Sequence, residues 1–240
     1  MITPAWTAPI TISALSTTRK GGVSVAPFDS FNVGLHVGDD EQAVLANREQ
    51  LTNQLPNPAV WLNQIHSSDV VVIDEDSDLN QVRSADALYT RVAKQPLAIM
   101  TADCLPVLLC STTGDEIAAV HGGWRGLAQG ILANTIAHFK AKPSDIIAWF
   151  GPAIGPSEFE VGQEVKACFC ELNANHQHAF TPRGDKYLAD IYLLARQQLA
   201  RLGVVSIFGG EHCTVSDKLQ FFSYRRDGET GRMASLIWRN

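Results

Sequence analysis

The chain has 240 residues, which suits one large domain or two small ones, and 45% of them are hydrophobic, enough for an extensive core. The formal net charge of −6 argues against non-specific nucleic-acid binding as the main activity. No apolar run reaches the ~18–20 residues of a membrane-spanning helix, and the first residues lack the pattern of a signal peptide. None of the five cysteines forms a Cys-x-x-Cys pair. We therefore expect a cytoplasmic protein with reduced thiols.

The first forty residues are rich in Gly, Ser and Asn, and they predict strands and loops. Arg19, which stands beside a glycine pair, and Asn32 are candidate ligand contacts. Glycines in such a segment more often serve only a hairpin. Helical spacing of apolar residues then predicts a helix over Glu41–Leu55, which Pro56 ends.

A strand-like run at Ala59–Leu62 leads into a polar sequence that contains Gln64 and His66. The apolar run Val70–Ile73 predicts the next strand. His66 therefore falls in a turn between two strands. A lone histidine there is usually an ordinary loop residue, and it gains interest only if the fold brings it to other reactive side chains.

The strongest functional signal lies in the middle of the chain. Two buried-strand patterns, Leu105–Cys110 and Glu116–Val120, are separated by a turn sequence. Cys104 and His121 therefore lie at or near the ends of neighbouring strands, and Asp103 precedes the thiol. Strand ends are fixed by the sheet and open to solvent, so this arrangement is typical of a functional site.

Gly122 and Gly123 come just before a helical pattern that extends to Phe139. Free backbone N–H groups and the positive end of a helix dipole favour anions at such a position. Arg125 adds a fixed positive charge. These residues predict a phosphate site, although a tight strand-to-helix turn with a surface arginine explains them equally well.

The rest of the chain continues the mixture of strands and helices, and Ser223 and Arg225 belong to a basic cluster that fits either an anion contact or a rim of salt bridges. No repeat or linker interrupts the pattern, so we predict a single α/β domain over residues 1–240. The predicted elements are a strand over Ile146–Phe150, a helix over Gly162–Leu172, a polar irregular segment over Asn173–Arg183, a helix over Ile191–Leu202 between Asp190 and Gly203, and strands over Val204–Phe208 and Ala234–Trp238.

His66, Cys104 and His121 together would suit zinc, because two imidazoles and one thiolate leave a fourth position open, as in catalytic sites. Zinc lowers the pKa of a bound water towards ~7, and Asp103 could support the site or carry a proton. The same residues also fit a Cys104 nucleophile that His121 activates, as in thiol hydrolases. Spacing alone favours a buried cysteine and two unrelated histidines.

Six motifs, in order along almost the whole chain, resemble those of the YfiH family, which is also called the laccase-domain or multicopper polyphenol oxidase family. They are STTRKGGVS, FNVGLHVGDD, NQIHSSDV, TADCLPVLLC, AAVHGGWRG and FFSYRRDGETGR. The resemblance implies one α/β domain with packed mixed β-sheets flanked by helices, and a zinc site on His66, Cys104 and His121. It also implies phosphorolysis of adenosine, inosine and methylthioadenosine to free base and ribose 1-phosphate, with deamination of adenosine. Some bacterial members are linked to peptidoglycan editing.

Three functions are consistent with the sequence: a zinc-dependent purine nucleoside phosphorylase and deaminase, a copper phenol oxidase, and a Cys104-dependent hydrolase or amidase. A multicopper oxidase needs a blue-copper ligand set and several further histidines, whereas the chain has seven histidines in all. Copper is nevertheless an alternative metal for the Cys and His ligands. We expect a monomer or homodimer that binds a nucleoside and phosphate. The candidate contacts are Arg19, Asn32, Gln64, Gly122, Gly123, Arg125, Ser223 and Arg225.

Overall fold

A computed structural model describes residues 1–240, which form fourteen β-strands, six α-helices and two short 3-10 helices. The strands are β1 (Ile12–Ser16), β2 (Leu62–Asn63), β3 (Val70–Ile73), β4 (Arg83–Ser84), β5 (Ala87–Thr90), β6 (Leu97–Thr101), β7 (Leu105–Ser111), β8 (Ile117–Gly122), β9 (Ile146–Phe150), β10 (Glu160–Val161), β11 (Phe180–Arg183), β12 (Lys186–Ala189), β13 (Ser206–Gly209) and β14 (Met233–Arg239). The α-helices are α1 (Glu41–Thr52), α2 (Trp124–Ala128), α3 (Ile131–Ile136), α4 (Gln163–Leu172), α5 (Ile191–Leu202) and α6 (Tyr224–Asp227), and the 3-10 helices are Pro143–Asp145 and Ala174–Ala179.

A six-stranded mixed sheet in the order β13-β9-β7-β8-β5-β3 forms the centre of the molecule. Its middle strands are apolar and buried along their whole length, since both faces of the sheet are covered. Successive side chains of a strand point to opposite faces. Val107 and Leu109 therefore pack with the helical side of the protein, whereas Leu108 and Cys110 pack with residues of a second sheet.

The second sheet has three antiparallel strands in the order β1-β14-β6. Leu97 and Ile99 pack towards the central sheet, and Ala98 and Met100 pack on the other face with Leu51 of α1. The layers thus run from the helices α3 and α5 through the six-stranded and three-stranded sheets to α1. Two smaller sheets, β10-β12-β11 and β2-β4, are not hydrogen-bonded to either of these two sheets.

The β7-β8 pairing places the central motifs together. These strands are antiparallel, with Leu105 opposite Gly122 and Pro106 opposite His121. Cys104, which directly precedes β7, therefore lies at the same end of the sheet as His121. The predicted neighbouring strand ends are confirmed, and so is the α/β fold class of packed mixed sheets flanked by helices.

Several predicted boundaries were wrong. The helix expected up to Phe139 is two short helices, because Gly130 between α2 and α3 has a left-handed backbone with φ of 88°. The segment Asn173–Arg183, predicted irregular, contains a 3-10 helix and β11, whose last three residues are exposed and polar or Pro. The run Ala59–Leu62 forms only one bridge, from Val60 to Leu97, before the two-residue strand β2.

The helix α5 agrees with its prediction at both ends. The Asp190 side chain accepts a hydrogen bond from the Leu193 N–H, and Gly203 ends the helix with φ of 95°. The predicted α1 ends three residues early, at Thr52. No helix of the protein combines the length and apolar character that a bilayer crossing requires.

Candidate metal centre and substrate cavity

His66, Cys104 and His121 converge at one point, and we call them the His–Cys–His cluster. The Cys104 Sγ lies 3.8 Å from the His66 Nε2, and one ligand atom from each residue lies within 4.8 Å of the others. His66 is exposed, Cys104 is partly buried and His121 is buried. This is the chain's one group of three or more His, Cys, Asp or Glu side chains with metal-binding spacing.

One of these ligands, His66, has a strained backbone conformation, and another, Cys104, follows a residue that has one. His66 has φ of 60°, and Asp103, the neighbour of Cys104, has φ of 94°. Residues other than glycine seldom adopt such conformations, and they cluster at functional sites. His121, by contrast, is held in the regular strand β8. Two irregular loops and one strand end therefore build the cluster.

One buried carboxylate, that of Asp86, organises two of the three ligands. It accepts the backbone N–H groups of Ile65, His66 and Ser67 at 3.2, 2.9 and 2.6 Å, which fixes the loop of His66. Its Oδ1 also lies 2.7 Å from the His121 Nδ1. The imidazole Nδ1–H is the donor to this carboxylate, so the His121 Nε2 is left free to bind a metal.

The electrostatics of the cluster favour a thiolate. Burial alone would raise the pKa of Cys104, but the charge and hydrogen bond of His121, aided by His66, lower that pKa to about 6. Burial would likewise lower the pKa of His121, but Cys104 and Asp86 raise it to about 9. Metals bind the thiolate form, and the thiolate is also the nucleophilic form.

Gly123 forms the floor of the cluster. A Cβ added there would lie 2.9 Å from the His66 Cδ2, 3.4 Å from the Cys104 Sγ and 3.6 Å from the His121 Cε1. At Gly122 a Cβ would lie 2.8 Å from the backbone oxygen of Leu105. The two glycines therefore permit close packing around the ligands, and Gly123 also caps α2, a helix of five residues.

The donor set of the cluster fits a metal ion. Zinc bonds of about 2.0–2.3 Å in tetrahedral geometry separate the ligand atoms by about 3.3–3.7 Å, which the observed spacing within 4.8 Å approaches. The carboxylate behind His121 is the partner that metal-binding histidines usually have. A thiolate with two imidazoles suits zinc or copper.

The cluster opens into two adjoining cavities. The smaller, of about 260 Å³, is mainly apolar and is lined by Trp124, Ile154, Phe159 and Ile191 among others. The larger, of about 440 Å³, is more polar. It is lined among others by His36, Gln64, Thr101 and Arg232. The residues common to both linings are His66, Ala102, Cys104 and Tyr224.

Asp103 lines the smaller cavity, but it hydrogen-bonds neither imidazole of the cluster. Its carboxylate accepts the Thr214 hydroxyl at 2.5 Å and the Arg225 backbone N–H at 2.6 Å. It thereby joins the loop of Cys104 to α6, which carries Tyr224 into the cavities. Asp103 therefore ties two segments together, and its predicted role in supporting the site or carrying a proton stays a prediction.

Among the predicted substrate contacts, Gln64, Arg125 and Arg225 line the cavities. Both ends of the Gln64 amide bond the Met100 backbone, at 2.7 and 2.8 Å, so this side chain ties its loop to β6. Arg125 is exposed, with its guanidinium 4.4 Å from the Trp124 ring centroid. The Arg225 Nη1 donates to the backbone oxygens of Glu158 and Glu160.

The other five predicted contacts are absent from both cavity linings: Gly122 and Gly123, which pack against the cluster as described above, and Arg19, Asn32 and Ser223. Arg19 forms an ion pair with Asp29 in a separate cavity. Asn32 is fully buried, and its amide bonds Asp39 and the backbone of Gly34 and Arg232. The Ser223 hydroxyl accepts the Arg226 N–H and caps α6.

The sequence analysis missed Asp86, His36 and Arg232. Asp86 carried a usable signal, since it is a single carboxylate inside the otherwise apolar run from Ala85 to Tyr89. A charge that is buried with a strand must be hydrogen-bonded or paired. His36 and Arg232 approach the cluster from loops distant in sequence. Both lie in the family motifs FNVGLHVGDD and FFSYRRDGETGR, but nothing in those motifs singles them out from their neighbours.

The fold and the cluster together define a class: a mixed α/β protein with a candidate metal centre of two imidazoles and one thiolate inside a cavity. Residues 13–240 match the family model described as multi-copper polyphenol oxidoreductase laccase. This chain belongs to that family, the YfiH family, as its motifs predicted.

Relatives and solved structures agree with this assignment. Proteins named purine nucleoside phosphorylase YfiH from Shigella flexneri and Escherichia coli are 51% and 50% identical, and each alignment covers 99% of this chain and 98% of the relative. The crystal structure of a Neisseria meningitidis protein has a TM-score of 0.95 at 48% identity and covers 100% of this chain and 98% of that one. A Bacillus licheniformis protein described as YfiH has a TM-score of 0.90 at 31% identity, with 95% and 93% covered.

Proposed function

We propose that this protein is a metal-dependent purine nucleoside phosphorylase. The names of the relatives that are half identical over nearly their full length support this reaction. The observation that carries it is that His66 and Cys104 of the His–Cys–His cluster line two adjoining cavities, and His121 lines the larger of them. A ligand in those cavities would lie directly against the cluster.

Phosphorolysis breaks the bond between ribose C1′ and the purine nitrogen, and a phosphate oxygen forms the new bond to C1′. The purine leaves with the electron pair and takes up a proton, which gives free base and ribose 1-phosphate. The site must therefore hold a flat apolar base and an anion. Trp124, Ile154 and Phe159 in the smaller cavity suit the base. We propose adenosine, inosine and methylthioadenosine as substrates.

We propose zinc as the metal, with copper as the alternative, bound by His66, Cys104 and His121. A zinc ion in such a site supplies Lewis acidity at its open position. The protein's own part is to hold the ligands: Asp86 orients the His121 ring and the His66 loop. His121 favours the thiolate form of Cys104.

We also propose deamination of adenosine at the same cluster, in which water replaces the exocyclic amino group and ammonia leaves. The phosphate contacts predicted from the sequence are Arg125 with the amides after Gly122 and Gly123, aided by Ser223 and Arg225. They remain predictions from the sequence, and the larger cavity, whose lining includes Arg232 and His36, offers an alternative phosphate site. The five free cysteines fit a reducing compartment, and we propose a cytoplasmic monomer or homodimer.

A second candidate is a thiol hydrolase or amidase acting on cell-wall peptides. The observation in its favour is the contact of Asp86 with His121 beside Cys104, since a carboxylate, an imidazole and a thiol in this order form a nucleophile with its base. His66 would be dispensable in this mechanism, whereas it is a required ligand in the metal mechanism.

The family description also names copper oxidation. A multicopper oxidase needs a blue-copper ligand set and further histidines for a trinuclear cluster, whereas this chain offers one three-residue cluster. His176, in the single His-x-His pair, is buried with its Nδ1 2.7 Å from the Gln197 Oε1. The ligand count therefore disfavours multicopper chemistry, and a single copper at the cluster remains the alternative.

The test is to incubate the purified protein with adenosine, inosine and methylthioadenosine, each with and without inorganic phosphate, and to separate the products. We expect free base and sugar 1-phosphate in equal amounts, with base release dependent on phosphate; the sugar product is ribose 1-phosphate from adenosine and inosine and 5-methylthioribose 1-phosphate from methylthioadenosine. Inosine formed from adenosine without phosphate would reveal the deaminase. Absence of base release from all three nucleosides would contradict the proposal.

A further inference from the structure

We infer that phosphate binds in the larger cavity, at the guanidinium of Arg232 and the imidazole of His36, and not at Arg125. This inference rests on the proposed phosphorolysis and names the subsite of its second substrate. The smaller, apolar cavity is then left for the purine.

Arg232 presents a free hydrogen-bonding edge. Its Nη1 donates to the backbone oxygens of Thr230 and Gly231 at 2.9 and 3.0 Å, which fixes the guanidinium. The Nε and Nη2 make no hydrogen bond within the chain, and no carboxylate forms a salt bridge with this side chain. The residue is half-buried, and burial lowers its pKa. The negative charges of Cys104 and Asp103 oppose that lowering, but neither group forms a salt bridge with the guanidinium. A partly desolvated cation without a salt-bridge partner attracts an anion.

The other arginines near the cavities are either fully hydrogen-bonded or exposed to solvent. Arg226 uses its Nε, Nη1 and Nη2 on backbone oxygens and on Asp227. Arg225 also donates only through its Nη1, to two backbone oxygens, but its side chain is exposed and lines the smaller, apolar cavity. Arg125 is exposed and stacked on Trp124, so water competes there for any anion. Arg232 is the better-prepared site because its donors are fixed and partly shielded from solvent.

His36 supplies a second donor in the same cavity. Burial and the charges of Arg232 and Arg48 lower its pKa, which favours the neutral ring, and a neutral imidazole still offers one N–H donor. Arg48 itself is engaged, with its Nε donating to the Val33 oxygen at 2.8 Å. It therefore adds positive potential to this corner rather than a contact.

The geometry of the free edge suits phosphate. The Nε and Nη2 of a guanidinium form a planar fork that matches two oxygens of one phosphate group. The same cavity is lined by all three members of the His–Cys–His cluster. Phosphate bound at Arg232 would therefore lie beside the cluster, with the purine across it in the smaller cavity and the ribose C1′ between the two.

The test measures binding of inorganic phosphate to the metal-loaded protein by calorimetry, alongside the phosphate dependence of base release. The main variant is Arg232→Met, which keeps the aliphatic stem that packs close to Gly34. We expect it to weaken phosphate binding by about 10- to 100-fold, the loss typical of a charged hydrogen-bonding partner, with the nucleoside KM changed less than threefold. Arg232→Lys keeps the charge but not the planar fork, so its phosphate affinity should lie between those of the native protein and Arg232→Met.

Arg125→Ala is the matched comparison, and we expect its phosphate affinity to stay within threefold of the native protein. Unchanged phosphate binding in folded Arg232→Met, or an equal loss in Arg125→Ala, would overturn the inference. Adenosine 5′-monophosphate is titrated in parallel, because a phosphate ester that binds in an Arg232-dependent way while inorganic phosphate does not would also overturn it. Arg232-dependent phosphate binding without any base release would support the subsite and contradict the phosphorylase proposal.

Discussion

The Asp86 carboxylate links the two histidine ligands, and this gives a prediction at the scale of single residues. Asp86→Asn removes the charge that orients the His121 ring and weakens the bonds to the His66 loop. We expect the zinc affinity to fall by about 10- to 100-fold, the usual loss when the partner of a metal-binding histidine is removed. Competition with a metal-binding dye measures it.

Glu116→Gln is the control for that prediction. Glu116 is also a buried carboxylate, and it accepts the backbone N–H groups of Lys140 and Ala141 at 2.7 and 2.8 Å, but it lies outside both cavity linings. Loss of the Glu116 charge should lower the free energy of unfolding without changing the zinc affinity. A zinc affinity equal to that of the native protein in Asp86→Asn would show that this carboxylate does not support the metal site.

The Cys104 thiol gives a prediction about pH. Its pKa is lowered to about 6, so in metal-free protein the thiolate fraction rises as the pH passes through 6 and is nearly complete by neutral pH. The rate of iodoacetamide labelling at Cys104 should therefore level off near neutral pH. Bound zinc should shield the thiolate and suppress labelling until a chelator is added.

Peptide mapping by mass spectrometry separates Cys104 from the other thiols. Cys110 is buried, and burial raises its pKa to about 12, so it should stay unlabelled in the folded protein and serve as an internal control. A Cys104 labelling rate that keeps rising through pH 8 to 9 would disprove the lowered pKa. Equal rates with and without metal would disprove the zinc ligand.

At the scale of the element, the short helices α2 and α3 are each preceded by a glycine, and the two glycines have different roles. Gly123 has φ of −65°, which any residue adopts, but a Cβ there would press on His66 and Cys104. Gly130 has φ of 88° and open space where its Cβ would be.

These two glycines predict opposite effects. Gly123→Ala should weaken zinc binding at least tenfold while unfolding in urea changes little, because the added methyl crowds the ligands. Gly130→Ala should lower the free energy of unfolding by about 1–2 kcal/mol, the cost of a left-handed non-glycine residue, with zinc affinity unchanged. Native zinc affinity in Gly123→Ala would contradict the assignment of this glycine to the floor of the cluster.

Elements with strong local signals could be predicted from the sequence. The ends of α5 follow from Asp190 and Gly203, and the buried strands β7 and β9 follow from apolar runs. The hairpin of β11 and β12 could not be predicted, since it is largely exposed, polar at its turn and lacks alternation. The break at Gly130 was missed because the apolar spacing continues across it.

At the scale of the whole molecule, the sequence alone predicts only part of the site. His66, Cys104 and His121 were identified mainly through motifs, and their convergence depends on the β7-β8 register and on the loop that Asp86 holds. Arg232 and His36 meet the cluster through the packing of the loops around Gly34 and Gly231. Contacts between segments nearly 200 residues apart leave no periodic signal in the sequence.

The most direct measurement is phosphorolysis of inosine by the native protein as purified, after chelation and after zinc is restored, with His66→Ala assayed in parallel and its zinc content determined. Our account predicts base release that is lost on chelation and regained with zinc, and an inactive His66→Ala protein that binds no zinc tightly. Full activity of metal-free protein or of His66→Ala would contradict it, and would point instead to Cys104 and His121 acting as a nucleophile and its base.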